Sequence, residues 1–240
     1  MGPHYLMQAG GVMSEEKILI AASDNRYSHV PYADLHRVAV RSETVPVGSV
    51  EFVRRYAEIN DVVLPQLPTY PAALNHYLGR LVWRCRYADV PADAFCKPLR
   101  TKLFTGGIRS TITETVPDEE IVLAAESVAF DAEFRYYILD GRIIGHSRYD
   151  AGDEPAEPDP AVVQAMVRDY ADAPCGYALD VGICGGKTLL VEVNDGWSIG
   201  YYRWGDMKPR AYMDLISARW QEILAEQTGA VGPKTAGSRS

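Results

Sequence analysis

The sequence predicts an α/β-class protein in which strands and helices combine in α+β subdomains. Three observations carry this. Asp140-Gly141 separates two apolar-rich runs, Phe130–Leu139 and Arg142–Tyr149, which is a strong hairpin signal. Cys184-Gly185-Gly186-Lys187 separates a second pair of runs, Tyr177–Ile183 and Leu189–Val193. Between and after them lie helical signals: Asp159-Pro160 as cap and first turn, and Tyr212, Leu215, Ile216, Trp220 and Leu224 at helical spacing in the segment 209–226.

A chain of 240 residues can bury a sizeable core, as one large domain or two small ones. Its 47% hydrophobic and 23% charged residues are ordinary for a globular protein, and its net charge of −8 argues against general affinity for nucleic acid or anionic membrane. No apolar run approaches the roughly 20 residues that span a bilayer. The four cysteines, Cys85, Cys96, Cys175 and Cys184, form no CxxC pair, which argues against zinc and against a disulfide framework. Residues 1–13 have neither a basic start nor a long apolar segment, so they do not read as a signal peptide. They are assigned outside the fold, as a disordered or artificially added leader, with Met13 as an alternative start. A cytoplasmic protein is expected.

Taken in order, Lys17–Ala22 reads as a short buried strand, and residues 23–44 carry no clear period. Pro46–Val53 opens a helix with Ser49 as its N-cap. Pro65, Pro68 and Pro71 then break regular structure, and a short helix ends at Leu78-Gly79. Leu81–Cys85, Ala94–Pro98 and Ile121–Ala125 read as strands, with a glycine loop at Lys102–Arg109. The two hairpins and two helices above complete the chain, and residues 228–240 are expected to be a disordered tail.

The chemistry concentrates at Leu189-Leu190-Val191-Glu192-Val193-Asn194. Strand alternation puts Glu192 and Asn194 on one face, and the hairpin brings Asp180 alongside. Carboxylates inside such apolar runs require a partner, and three oxygen-bearing side chains suit a hard cation such as Mg²⁺. A nucleotide handled there needs cations and a phosphate loop. Lys97 stands at a strand end, and Lys102-Leu103-Phe104-Thr105-Gly106-Gly107 can bring backbone N–H groups close to phosphate. Glu126-Ser127-Val128 ends a strand, and Glu133 shares a strand face with Arg135.

This ordered series resembles the ATP-grasp superfamily of carboxylate–amine ligases over about residues 80–226. Pro46–Phe52, Lys102–Gly106, Ala132–Tyr136 and Val193–Trp197 resemble, more narrowly, a clade of small bacterial and phage ATP-grasp proteins. The resemblance implies an ATP-grasp fold with a reduced N-terminal pre-ATP-grasp region at 14–79. The ATP-grasp domain would occupy 80–227, with its hinge near 126–130. It implies ATP and Mg²⁺ as cofactors. Lys97 would contact the α- and β-phosphates, and loop 102–109, with Lys102, Thr105, Gly106 and Gly107, would close over them. Glu126 and the Val128 backbone would hold adenine, and Glu133 the ribose. Asp180, Glu192 and Asn194 would coordinate two Mg²⁺ ions. A substrate carboxylate would take the γ-phosphoryl group, and an amine would displace phosphate to leave an amide or peptide bond. Peptide-forming relatives often carry an arginine where this chain has Ala178. Arg135 is assigned that charge, with Arg148 and Arg109 as second choices and Lys102 as a further catalytic cation.

The expected partners are a small-molecule or peptide carboxylate and an amine, without nucleic acid or membrane; a homodimer is left open. Two other functions stay open: phosphoryl transfer to a non-carboxylate acceptor, and a nucleotide-binding module without turnover. Each residue also has a plainer reading. Strand-end lysines are usually solvated, Gly106-Gly107 and Asp195-Gly196 are each turn signals, and Arg80, Arg84 and Arg86 read as solvated. Residues 195–200 leave the metal-binding strand toward the acceptor side.

Overall fold

The structure is a computed structural model that describes residues 2–10, 15–38, 44–99, 103–152 and 155–229. The described residues form three sheets. The N-terminal one is parallel, with β1 (His4–Ala9) between β2 (Tyr27–Pro31) and β3 (Thr44–Val47). The assignment of residues 1–13 outside the fold is therefore corrected: His4–Ala9 is the central strand. Tyr5, Leu6 and Met7 are all buried, because a parallel strand covered on both faces has no alternation to reveal it. Lys17–Ala22 is corrected as well. It lies in a helix, α1 (Glu16–Ala22), in which only Leu19 is fully buried. A six-residue apolar run fits either element, and tertiary packing decides.

Helix α2 (Val50–Ile59) begins where expected, with the Ser49 hydroxyl accepting from the Phe52 N–H at 3.2 Å. Pro46 belongs to β3, an edge strand, where its missing N–H leaves no gap in the ladder. The second sheet is antiparallel, in the order β4 (Val82–Arg86), β7 (Ile121–Ala125), β5 (Phe95–Pro98), β6 (Gly107–Ile108). Residues 126–131 lead from it into the third sheet, ordered β11 (Lys187–Asp195), β10 (Gly176–Cys184), β8 (Ala132–Leu139), β9 (Arg142–Arg148). Both expected hairpins form. Asp140 and Gly141 have φ of 49° and 70°, and Gly185 and Gly186 have 56° and 73°, the positive pairs that match the twist of a two-residue hairpin.

The two faces of the third sheet do different work. Phe134, Tyr136 and Ile138 on β8, with Tyr177, Leu179, Val181 and Ile183 on β10, are buried in one core with α3 (Pro160–Asp169). The alternate positions Glu133, Arg135 and Tyr137, with Ala178, Asp180 and Gly182, turn to the opposite face. There Tyr137 and Ala178 join a second core with the N-terminal sheet and α4 (Pro209–Gln227). Polar side chains are thus carried on a sheet fixed from both sides.

Candidate active site

Cross-strand register builds the site. Ser147 on β9, Arg135 on β8, Asp180 on β10 and Glu192 on β11 form one row across four strands. The next row on the same face is Gly145, Tyr137, Ala178 and Asn194. The β10–β11 register shifts between Asp180 and Val181, so Val191 is extra on β11. That bulge lets Leu190 and Val193 both reach the apolar core while Glu192 and Asn194 keep the polar face. Arg80 holds the bulge, donating to the Leu190 carbonyl at 2.8 Å and the Val191 carbonyl at 3.0 Å. Its sequence reading as a solvated cation is corrected: it satisfies carbonyls that the irregular ladder leaves open.

Arg135 forks onto Asp180, with Nε–Oδ1 at 2.8 Å and Nη2–Oδ2 at 2.7 Å. Asn194 Nδ2 donates to Asp180 Oδ2 at 3.0 Å and to Glu192 Oε1 at 2.9 Å. Lys97 Nζ reaches across from the second sheet to Glu192 Oε2 at 2.5 Å. Lys97, Glu192, Asn194, Asp180 and Arg135 are therefore one connected network. Burial opposes the Arg135 charge, but the Asp180 carboxylate holds its pKa above the ordinary guanidinium value. Burial pushes the Asp180 carboxyl up against the pull of Arg135. Burial pushes Glu192 the same way, and there the Lys97 ammonium prevails and lowers it.

Two tyrosines that the sequence reading missed cover this row. Tyr149 and Tyr202 stack with ring centroids 5.4 Å apart, and the Arg135 guanidinium lies 5.9 and 5.2 Å from them. The Tyr149 hydroxyl donates to Glu133 Oε2 at 2.7 Å. Burial raises the Glu133 carboxyl, with Asp180 and Asp150 adding to the push. Beside Glu133, Gly182 makes room for Phe130: a Cβ there would lie 2.3 Å from its ring. Tyr70 faces both Lys97 and Arg80, 5.6 Å from each cationic group.

The remaining expected residues are placed as follows. Gly106 packs against Lys97, where an added Cβ would lie 3.0 Å from the lysine Cβ. Thr105 N–H donates to Glu114 at 2.9 Å, and Gly107 pairs with Cys96. Lys102 lies outside the described residues. Glu126 accepts the Leu81 N–H at 2.9 Å through Oε2, and Val128 follows in the link between the sheets.

The second-choice arginines are committed elsewhere. Arg109 lies 3.8 Å over the Tyr87 ring. Arg148 forks onto Asp150 at 2.8 Å through both Nε and Nη2. Asp150 in turn accepts the Glu133 N–H at 2.9 Å, so this pair ties down the strand that carries the site. Arg148 holds the Asp150 carboxyl well below the usual carboxylate range. A depressed folded-state pKa contributes stability that is complete above the unfolded value of about 3.9 and is lost as pH falls through the folded value. Arg148→Met is expected to remove that contribution. Equilibrium unfolding would then show stability falling less steeply between about pH 4 and pH 2 than in the wild type, from a lower plateau.

Asp195 is a correction. It does not face an acceptor: Arg219 on α4 forks onto it at 2.7 and 2.9 Å, and both side chains are buried. Residues 198–202 do run beside Arg135. Ser198 Oγ donates to the Gly48 carbonyl at 3.1 Å, and the Gly200 carbonyl accepts from Tyr137 at 2.9 Å.

Residues 77–215 match the model of an ATP-grasp domain family, the second family of its clade. The chain belongs to this ATP-grasp family. Its fold is similar to that of solved ATP-grasp structures. N5-carboxyaminoimidazole synthetase from Staphylococcus aureus is 8% identical, with 91% of this chain and 80% of that one covered and a TM-score of 0.54. D-alanine–D-alanine ligase from Bacillus anthracis is 14% identical, covering 94% and 100%, with a TM-score of 0.51. The ATP-grasp ligase PsnB, solved with a minimal precursor, is 13% identical, covering 91% and 100%, with a TM-score of 0.52. At these identities the likeness establishes the ATP-grasp fold. No curated protein matches by sequence. Among the described residues, no helix is long and apolar enough to cross a membrane.

Whether this ATP-grasp site suits Mg²⁺ depends on its donors. Among the described residues no three His, Cys, Asp or Glu side chains form a metal-holding group. The donor set is instead two carboxylates and one amide, joined by hydrogen bonds on one sheet face. Hard oxygen donors in that number fit Mg²⁺, which keeps several ligand positions for water and phosphate.

Proposed function

We propose that the chain is an ATP- and Mg²⁺-dependent ligase that joins a carboxylate to an amine through an acyl phosphate, releasing ADP and phosphate. The observation that carries this reading is the single row of Lys97, Glu192, Asp180 and Arg135, with Asn194 bridging the two carboxylates. It sets cations for phosphate and oxygen ligands for a metal within one hydrogen-bonded network. The family match and the ATP-grasp fold support the assignment.

In this reading Lys97 binds the α- and β-phosphates, and Thr105, Gly106 and Gly107 approach them through backbone N–H groups. Glu126 Oε1 and the Val128 backbone take the adenine edge, and Glu133 Oε1 takes a ribose hydroxyl. Asp180, Glu192 and Asn194 hold Mg²⁺, which neutralises charge on the β- and γ-phosphates. A substrate carboxylate oxygen bonds to the γ-phosphorus as the bond to ADP breaks. The amine then bonds to the acyl carbon, phosphate leaves, and the amine proton is lost to solvent. Arg135 supplies positive charge beside the acyl phosphate.

The test is turnover of candidate carboxylates with Mg²⁺ and ATP in the presence of hydroxylamine. Trapping of a hydroxamate together with ADP is the expected result. ADP formation with a phosphorylated product and no hydroxamate would point instead to phosphoryl transfer onto a non-carboxylate acceptor.

A further inference from the structure

We propose that the metal-binding face is held closed by the protein's own Lys97 and Asn194, so that the divalent cation enters only together with nucleotide. This rests on the ATP-site reading above. All four carboxylate oxygens of the pair already accept a donor. Asp180 Oδ1 and Oδ2 take Arg135, and Oδ2 also takes Asn194. Glu192 Oε1 takes Asn194, and Oε2 takes Lys97. Two positive side chains balance two negative ones, so the network presents no net charge to attract a cation. Asn194 turns its amide nitrogen, a donor, toward both carboxylates, and a nitrogen that carries hydrogens does not coordinate Mg²⁺.

Only one of the two basic groups can be exchanged readily. Arg135 is 8% exposed, forked onto Asp180, and covered by the Tyr149 and Tyr202 rings. Lys97 makes one ion pair from a strand end in the other sheet, through a flexible four-carbon stem. A triphosphate is the ligand whose charge competes with Glu192 for that ammonium. Once Lys97 moves to phosphate, Glu192 Oε2 is left without a counter-charge beside Asp180. A half-turn of the Asn194 amide then puts Oδ1 where Nδ2 was and completes three oxygen donors. Nucleotide and metal binding are thereby coupled through one lysine.

The test uses Mn²⁺ in place of Mg²⁺, with free Mn²⁺ read by electron paramagnetic resonance. Nucleotide binding is read separately from the fluorescence of an N-methylanthraniloyl ATP analogue. Wild-type protein without nucleotide is expected to take up no Mn²⁺ at sub-millimolar concentrations. Lys97→Met is expected to bind Mn²⁺ without nucleotide at least about tenfold more tightly than wild type, because a positive charge has left the site. Adding Glu192→Gln to Lys97→Met is expected to abolish that gain. Should Lys97→Met not fold, Lys97→Gln takes its place, and the wild-type titration is decisive by itself.

Nucleotide-free Mn²⁺ uptake by the wild type overturns the proposal, and so does a Lys97 variant that gains none. If the fluorescent analogue still binds in either case, the ATP-site reading stands. Failure of the wild type to bind the analogue, with or without Mn²⁺, removes that reading and the proposal with it.

Discussion

Arg135→Ala is expected to lose both turnover and a large part of the protein's stability. The substitution leaves Asp180, 2% exposed, without its counter-ion, and breaking a buried pair from one side costs roughly 3–5 kcal/mol. It also removes the charge assigned to the acyl phosphate, worth at least about 100-fold in kcat by analogy with other preorganised donors. The two effects separate in a double variant. Arg135→Met with Asp180→Leu replaces the ion pair by apolar side chains, and chemical denaturation is expected to show most of the stability restored. ADP release should stay absent. Near-normal turnover in any folded Arg135 variant would remove this residue from the mechanism.

Arg219→Ala should be about as destabilising but catalytically silent. Arg219 and Asp195 are a second buried, forked pair, with side chains 3% and 7% exposed. Arg219 also donates to Glu222 at 2.8 Å, and Glu222 accepts the Cys175 N–H at 2.8 Å. Loss of the guanidinium therefore leaves buried acceptors unpaired on the hairpin that carries the site, again a cost of roughly 3–5 kcal/mol. For a chain of this size that corresponds to a fall in Tm of very roughly 6–20 °C in a thermal melt. The folded fraction at low temperature should keep kcat and KM within about twofold of wild type. A selective rise in KM for the carboxylate or amine, with stability unchanged, would return Asp195 to the substrate site.

The contrast between these two pairs shows what sequence can and cannot reveal. Glu192, Asn194, Asp180, Glu133 and Arg135 were legible together because strand alternation fixes a shared face and glycine turns fix strand neighbours. The caps at Ser49 and Asp159 were legible for a similar reason, since side chain and N–H lie within three residues. Asp195 carries the same local signal as Glu192. Its partner, Arg219, stands 24 positions later on a helix whose apolar stripe drew attention away from it. Arg80 was misread because a bulge at Val191 has no signature in sequence. Tyr149 and Tyr202 meet only through tertiary packing. The strand His4–Ala9 was missed because a short central parallel strand shows neither alternation nor a long run.

The central claim is that a nucleotide triphosphate lies against Lys97 with its metal on Glu192. A crystal structure of the protein grown with Mg²⁺ and a non-hydrolysable ATP analogue tests it most directly. The expected map shows the α- and β-phosphates within hydrogen-bond reach of Lys97 Nζ, and Glu192, Asn194 and Asp180 turned to Mg²⁺. Nucleotide bound elsewhere, with the Lys97–Glu192 pair unbroken, would contradict it.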